Sequence, residues 1–206
     1  MNFLHYCFNV FRICIFILSG VILLAVSGCS SLQSSTSAKP VFPEILTTFP
    51  DTWTLHGRIS VINENENWYA RFNWIQEKED FQISFTGPLG ETELQISQVD
   101  RDIRLKTPSY ERTSNDLEQL ISQETGWKFP VNSLRYWSYG RPNPDESANV
   151  KYNEQQHVSE ISQSGWRIQY PKRMQVEQYL LPKKIIATEQ NMKIKIIITR
   201  WELGEL

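Results

Sequence analysis

The chain has 206 residues, with 21 Lys and Arg against 23 Asp and Glu and a formal net charge of −2. That balance excludes a dominant basic face for nucleic acid or anionic headgroups. Seven tryptophans and a 40% hydrophobic content direct attention to shape and apolar surface instead.

In chain order, Met1 to Arg12 is a short polar-aromatic lead whose one charged residue is Arg12. Ile13 to Val26 is apolar except for Ser19 and Gly20, which is signal-peptide length and short of the roughly 20 residues a spanning helix needs. It ends in "VSGCSS", Val26 to Ser31. A branched aliphatic, two small residues and then cysteine form a lipobox, so residues 1–28 read as a lipoprotein signal peptide and Cys29 as the acylated amino terminus. Cys7 and Cys14 fall in the removed segment, so the mature chain is expected to hold no free thiol and no disulfide. Loss of Arg12 takes the net charge to −3. Two or more acyl chains on Cys29 anchor a protein to a membrane without spanning it.

Residues 29–43 read as a lipidated tether, because "SSLQSSTSAKPVFP" is rich in Ser and Thr and carries two prolines. Residues 44–206 then form one domain of a size that can bury a core, opening on a short helix over Glu44 to Phe49. From Thr52 the apolar period is two. Trp53, Leu55, Gly57, Ile59 and Val61 share a face of the first strand, and Trp68, Ala70, Phe72 and Trp74 share a face of the second. "FQISF", "LQIS" and "DIRLK" complete a five-stranded antiparallel meander with polar turns.

The period then changes. "SNDLEQLISQETGW" places Leu117, Leu120 and Ile121 at helical spacing, with Ser114 or Asn115 as N-cap and Gly126 just past the end. "FPVNSLRYWSYGRP" predicts a second short helix with Leu134 and Trp137 on one face. Strands resume with "HVSEIS", "GWRIQY", "LPKKIIA" and "MKIKIIITRW".

No catalytic or metal motif emerges. His56 and His157 lack companions at ligand spacing, and no nucleophile elbow, phosphate loop or dinucleotide fingerprint is present. Glu91 and Glu93 share a strand face but are expected on a solvated surface beside a turn. The aromatic residues fit either an ordinary filled core or a cavity for an apolar ligand. Leu89, in "GPLG", stands where turns favour Gly, Pro, Asn, Asp and Ser. It either folds back as a plug or stands exposed.

The lipobox at Cys29, "YARFNW", "GPLGETEL", "FPVNSLRYWSYGRP", "GWRIQY" and a last strand ending at Trp201 resemble, in this order and spacing, the LolB family of outer-membrane lipoproteins. The weakly basic leader and "ELGEL" after Trp201 depart from that pattern. Ser30 after the cysteine fits export to the outer membrane. The resemblance implies a mainly β fold with helices (α+β): a strongly curved, incompletely closed antiparallel barrel covered by a helical lid. It implies no enzyme activity and no cofactor beyond the acyl groups on Cys29. It implies a monomer on the periplasmic face of the outer membrane that binds no nucleic acid. Its partners would be the carrier LolA with its lipoprotein cargo and the outer-membrane bilayer. Strand parity and resemblance together place Phe72, Trp74, Phe81, Ile83, Phe85, Leu94, Ile96, Trp137, Ile168 and Ile196 around the cargo's acyl chains. Leu89, flanked by Pro88 and Gly90, becomes an exposed hairpin tip that enters the membrane. A docking lipoprotein without bound lipid and an envelope hydrolase are the alternatives from other classes.

Overall fold

Eleven antiparallel strands and two helices make up a computed structural model that describes residues 49–64, 67–127 and 130–204. Cys29, the signal peptide, the tether and all of the 44–49 helix except Phe49, which is not helical, lie outside the described residues. Residues Ile45–Leu206 form one compact unit, and its buried apolar residues run from Trp53 to Trp201.

Strands β1 (Thr52–Ile62), β2 (Asn67–Glu77), β3 (Asp80–Thr86), β4 (Thr92–Val99), β5 (Asp102–Lys106) and β6 (Glu111–Ser114) pair in succession. Helices α1 (Leu117–Thr125) and α2 (Val131–Ser138) follow. Strands β7 (Ala148–Tyr152), β8 (Val158–Gln163), β9 (Trp166–Val176), β10 (Tyr179–Glu189) and β11 (Met192–Leu203) then return across the sheet. Because β11 pairs with β1, both halves join in one sheet of order β6-β5-β4-β3-β2-β1-β11-β10-β9-β8-β7. Its edges, β6 and β7, do not pair with each other, so the barrel is open.

The period-two stripes set the two faces. Trp53, Leu55, Ile59 and Val61 are buried, as are Ala70, Phe72 and Trp74, while Arg58 and Arg71 between them are exposed. Gly57 stands on the buried stripe directly opposite Phe72. A Cβ there would lie 2.5 Å from the Ile197 carbonyl oxygen and 2.7 Å from Phe72 Cε1, so only glycine lets ring and strand approach this closely. Beside it the register with β11 shifts, leaving Thr199 as an extra residue whose hydroxyl donates to the His56 carbonyl at 3.0 Å. A bulge next to a glycine bends a strand pair locally.

Three local expectations are corrected. The N-cap of α1 is Asp116, whose carboxylate accepts from the Gln119 N–H at 2.9 Å. Ser114 instead turns the chain into it, its Oγ accepting from the Asp116 N–H. The meander has a sixth strand, β6, and the return begins with β7, both mostly exposed edge strands; β6 has no apolar residue, and β7 alternates Ala148, Val150 and Tyr152 with Asn149 and Lys151 over only five positions. Strand β9 continues through Pro171 to Val176, with register shifts against β10 on either side of Lys184.

Candidate functional site

The concave face of the sheet is filled in one half and hollow in the other. The hollow is an incompletely enclosed cavity of about 360 Å³, within the range of small-molecule sites. Strand β1 contributes Leu55, Ile59 and Val61, β2 contributes Trp68, Phe72 and Trp74, and β3 contributes Ile83 and Phe85. Leu94 and Ile96 of β4, Leu105 of β5, Ile185 of β10 and Ile196 of β11 complete the sheet side. Ile121 of α1 with Val131 and Leu134 of α2 cover it. Residues from seven strands meet around one space because the sheet curls.

Of the residues placed here by parity and resemblance, Phe72, Trp74, Ile83, Phe85, Leu94, Ile96 and Ile196 lie on this wall. Phe81, Trp137 and Ile168 do not. Phe81 has the right parity, but its register partner is Gln76, a fully buried side chain. The Gln76 amide donates to the Lys78 and Asp80 carbonyls at 2.8 and 3.0 Å and accepts from Trp74 Nε1 at 3.1 Å. That polar block ends the apolar stripe and leaves Phe81 in a separate polar depression with Gln98 and Arg135.

Trp137 and Ile168 belong to the filled half. Trp137 Nε1 donates to Gln163 Oε1 at 2.9 Å, its ring tilts against Trp166 at 6.3 Å, and its carbonyl accepts from the Tyr170 hydroxyl at 3.1 Å. Ile168, with 0% exposure, is locked between its register partners Ile161 and Ala187. Helix α2 thus seals one half with Trp137 and roofs the other with Leu134. Burial in that seal pushes the Tyr170 hydroxyl far above its usual range.

The cavity also has polar members that parity alone missed. Glu93 was expected on a solvated face. Between Phe85 and Thr86 the β3–β4 register shifts, so Glu93 is the extra residue of a bulge, and it joins Leu94 on the cavity wall. Its carboxylate accepts from Trp68 Nε1 at 3.3 Å. The Trp68 ring meets Phe85 and Trp127 edge-on at 5.3 and 6.0 Å. Opposite stand Tyr110, Glu124 and Thr125. The Tyr110 hydroxyl donates to Glu124 at 2.6 Å, and this bond is the main reason its proton is held more tightly than usual. Arg112 completes the group with a 2.5 Å ion pair to Glu124. Trp68 was legible in the stripe of β2. Tyr110 and Arg112 flank or lie on β6, which the sequence pattern did not reveal.

Leu89 is 93% exposed. The Gly90 N–H donates to the Gly87 carbonyl at 3.1 Å and the Gly87 N–H to the Glu91 carbonyl at 2.9 Å. Gly90 takes the left-handed φ of 94°, which spares Leu89 that conformation. A turn closed this way accepts an ordinary L-residue at its third position. The side chain points into solvent with no contact to plug.

The family profile described as "Outer membrane lipoprotein LolB" matches residues 51–201. A protein of Marinomonas sp. (strain MWYL1) named outer-membrane lipoprotein LolB is 30% identical over 182 residues, covering 86% of this chain and 92% of the relative. Relatives of the same name from Nitrosococcus oceani and Francisella tularensis subsp. tularensis (strain WY96-3418) are 30% and 28% identical, over 91% and 89% of this chain and 96% and 91% of their own. Among solved structures, a LolA superfamily protein from Nitrosomonas europaea superposes with a TM-score of 0.50 at 14% identity, covering 76% of this chain and 88% of that one. At that identity the likeness speaks for the fold alone.

Proposed function

The chain belongs to the outer-membrane lipoprotein LolB family, and from that premise we propose how its hollow sheet serves lipoprotein transfer. It is an outer-membrane lipoprotein and not an enzyme. In this reading Cys29 carries the acyl anchor, and the periplasmic carrier LolA hands over a lipoprotein whose acyl chains enter the cavity between the sheet and α1 and α2. The Leu89 hairpin then meets the bilayer, and the cargo passes into it.

The observation that carries this reading is the cavity itself. A 360 Å³ space walled by tryptophan, phenylalanine and branched aliphatic side chains suits saturated hydrocarbon, which needs shape and no hydrogen bonds. Its two carboxylates, Glu93 and Glu124, and the Tyr110 hydroxyl are already bonded to protein partners. They suit the end of the space where a cargo headgroup stays wet.

Transfer through such a cavity runs downhill on apolar complementarity. Apolar burial contributes about 25 cal/mol per Å², and a tenfold bias needs about 1.4 kcal/mol. A gain of roughly 55 Å² of buried chain surface on leaving LolA therefore suffices. The test is a pull-down exchange with residues 45–206, which carry the whole core. Cargo loaded on LolA should move to this domain without an energy source. Cargo that stays on LolA refutes the proposal.

A further inference from the structure

The convex side of the sheet holds a second concavity, of about 320 Å³, at the base of the β3–β4 hairpin. Its walls include Arg58, Ser60, Tyr69, Arg71, Thr86 and Lys195, together with Gly87 and Pro88 of the hairpin. Three cations share this groove. Arg58 and Arg71 are direct register partners across β1 and β2, an arrangement of like charges that destabilises a sheet unless something offsets it. Among the described residues, none of the three takes part in an ion pair.

The hairpin separates charge across its two sides. A Cβ on Gly87 would collide with the Glu91 and Glu93 carboxylates, so both pack against the hairpin backbone. Glu93 lines the cavity on the concave side, while Arg58, Arg71 and Lys195 line the convex groove. A net negative chain thus carries a local cationic groove that its overall charge conceals.

We propose that this groove binds the phosphate of anionic phospholipid when the domain lies on the bilayer. The inference rests on the reading of Leu89 as the membrane-contacting tip. Thr86 pairs with Arg71, and Leu89 is three residues further along, at most about 10 Å of chain. Interfacial apolar groups sit about 5–10 Å below the headgroup boundary. A Leu89 inserted to that depth brings Arg58, Arg71 and Lys195 to the level of the phosphates. Tyr69, 57% exposed at the groove, is of the residue type that favours this interface. The groove orients the domain convex side down, and the tip inserts.

Vesicle binding of residues 45–206 tests this, with phosphatidylcholine vesicles made with and without phosphatidylglycerol. The wild type should prefer the phosphatidylglycerol vesicles, and added salt should erase that preference. Replacing the three cations together (Arg58→Gln, Arg71→Gln and Lys195→Gln) should cost on the order of a hundredfold in that binding, about fivefold per cation. Binding to phosphatidylcholine alone and cargo acceptance from LolA should not change. The Arg58→Lys, Arg71→Lys pair should keep the preference, which shows that charge and not lost packing is read. Leu89→Glu should weaken binding to both vesicles and retain the preference. A triple variant with wild-type preference overturns the groove, as does one that instead loses acceptance from LolA, since this face would then dock the carrier. A Leu89→Glu chain that binds both vesicles normally fails the tip and not the groove.

Discussion

Gly57→Ala tests the packing that shapes the cavity, because two effects of opposite sign compete there. Gly57 does not adopt a left-handed φ, so alanine fits the backbone and, by restricting the unfolded chain, would stabilise by about 0.4–1 kcal/mol. Against this, the new Cβ would stand 2.5 Å from the Ile197 carbonyl oxygen and 2.7 and 2.8 Å from Cε1 and Cζ of Phe72. The carbonyl belongs to the β11 ladder and cannot swing away. Phe72, 7% exposed, can move mainly into the cavity. Overpacking of this kind costs about 1–3 kcal/mol, so destabilisation prevails. Net of the opposing term, up to about 2.6 kcal/mol remains, so for a domain of this size the midpoint of thermal unfolding should fall by up to roughly 10 °C, followed by circular dichroism. A fluorescent fatty acid should also bind more weakly, because the displaced ring takes up cavity volume. Adding Phe72→Leu should restore part of the midpoint, the part owed to the ring and not to Ile197. An unchanged or raised midpoint in Gly57→Ala would refute the close packing of Phe72 over β1.

Leu89→Glu should leave unfolding and acceptance of cargo from LolA unchanged, since the side chain touches nothing at 93% exposure. It should cut delivery into vesicles by about ten- to a hundredfold, matching the 1.5–3 kcal/mol of a fully buried leucine; a loss of thermal stability would argue against a free tip. Gln163→Leu should destabilise by about 3 kcal/mol or more in urea titration. It strips hydrogen bonds from Trp137 Nε1 and from the Asn143 N–H, both at 2.9 Å, and from the Asn143 and Glu146 carbonyls. Burial raises the Tyr139 hydroxyl from 10.0 to about 12. The folded state therefore keeps that proton where the unfolded chain has lost it, so this contribution to stability is intact below pH 10 and is lost between pH 10 and 12 at about 1.4 kcal/mol per pH unit. Tyr139→Phe should flatten this part of the stability profile, read as the difference between the two proteins in urea.

Parity made the concave face legible where strands alternate cleanly, as in β1 and β2. It did not separate the cavity wall from the filled core, because both are apolar and inward. Ile168 and Ile196 are alike in sequence. What distinguishes them is the helix residue opposite, Trp137 over one half and Leu134 over the other. Phe81 failed for a different reason: its stripe is interrupted by Gln76, which neighbours it across strands and not along the chain. Glu93 was misplaced because a bulge breaks the alternation, and bulges leave no mark in a period-two count. Edge strand β6 is charged and polar on both faces, as edges that avoid pairing with other chains are, and β7 alternates apolar and polar residues over only five mostly exposed positions. Polarity hid β6 and, with it, the Tyr110–Glu124–Arg112 group, and brevity hid β7.

The two covering helices are held by ties of very different strength, and this decides which side of the cavity is the firmer. Helix α2 is fixed through Trp137, 1% exposed, and through Asn143, whose backbone and side chain bond Gln163 and Ser133 in buried surroundings. Breaking buried bonds of this kind costs about 1–3 kcal/mol each. Its outer tie, Arg135 to Glu79 at 3.0 Å, adds little because Glu79 is well exposed. Helix α1 buries Leu117, Leu120 and Ile121, but its polar ties run through Glu124 to Tyr110 and Arg112, which are exposed, on or beside the edge strand β6. With Arg112 61% exposed the ion pair is still screened by solvent, although Glu124 is only 12% exposed, and it contributes on the order of 1 kcal/mol. The firm half of the sheet therefore holds α2 in place over the cavity, while the wall formed by α1 and β6 is the one that yields at lower cost. Trp68, Phe85 and Trp127 line the cavity together with that wall, so under the proposed transfer the aromatic cluster and the more weakly held helix share the side on which an acyl chain should enter.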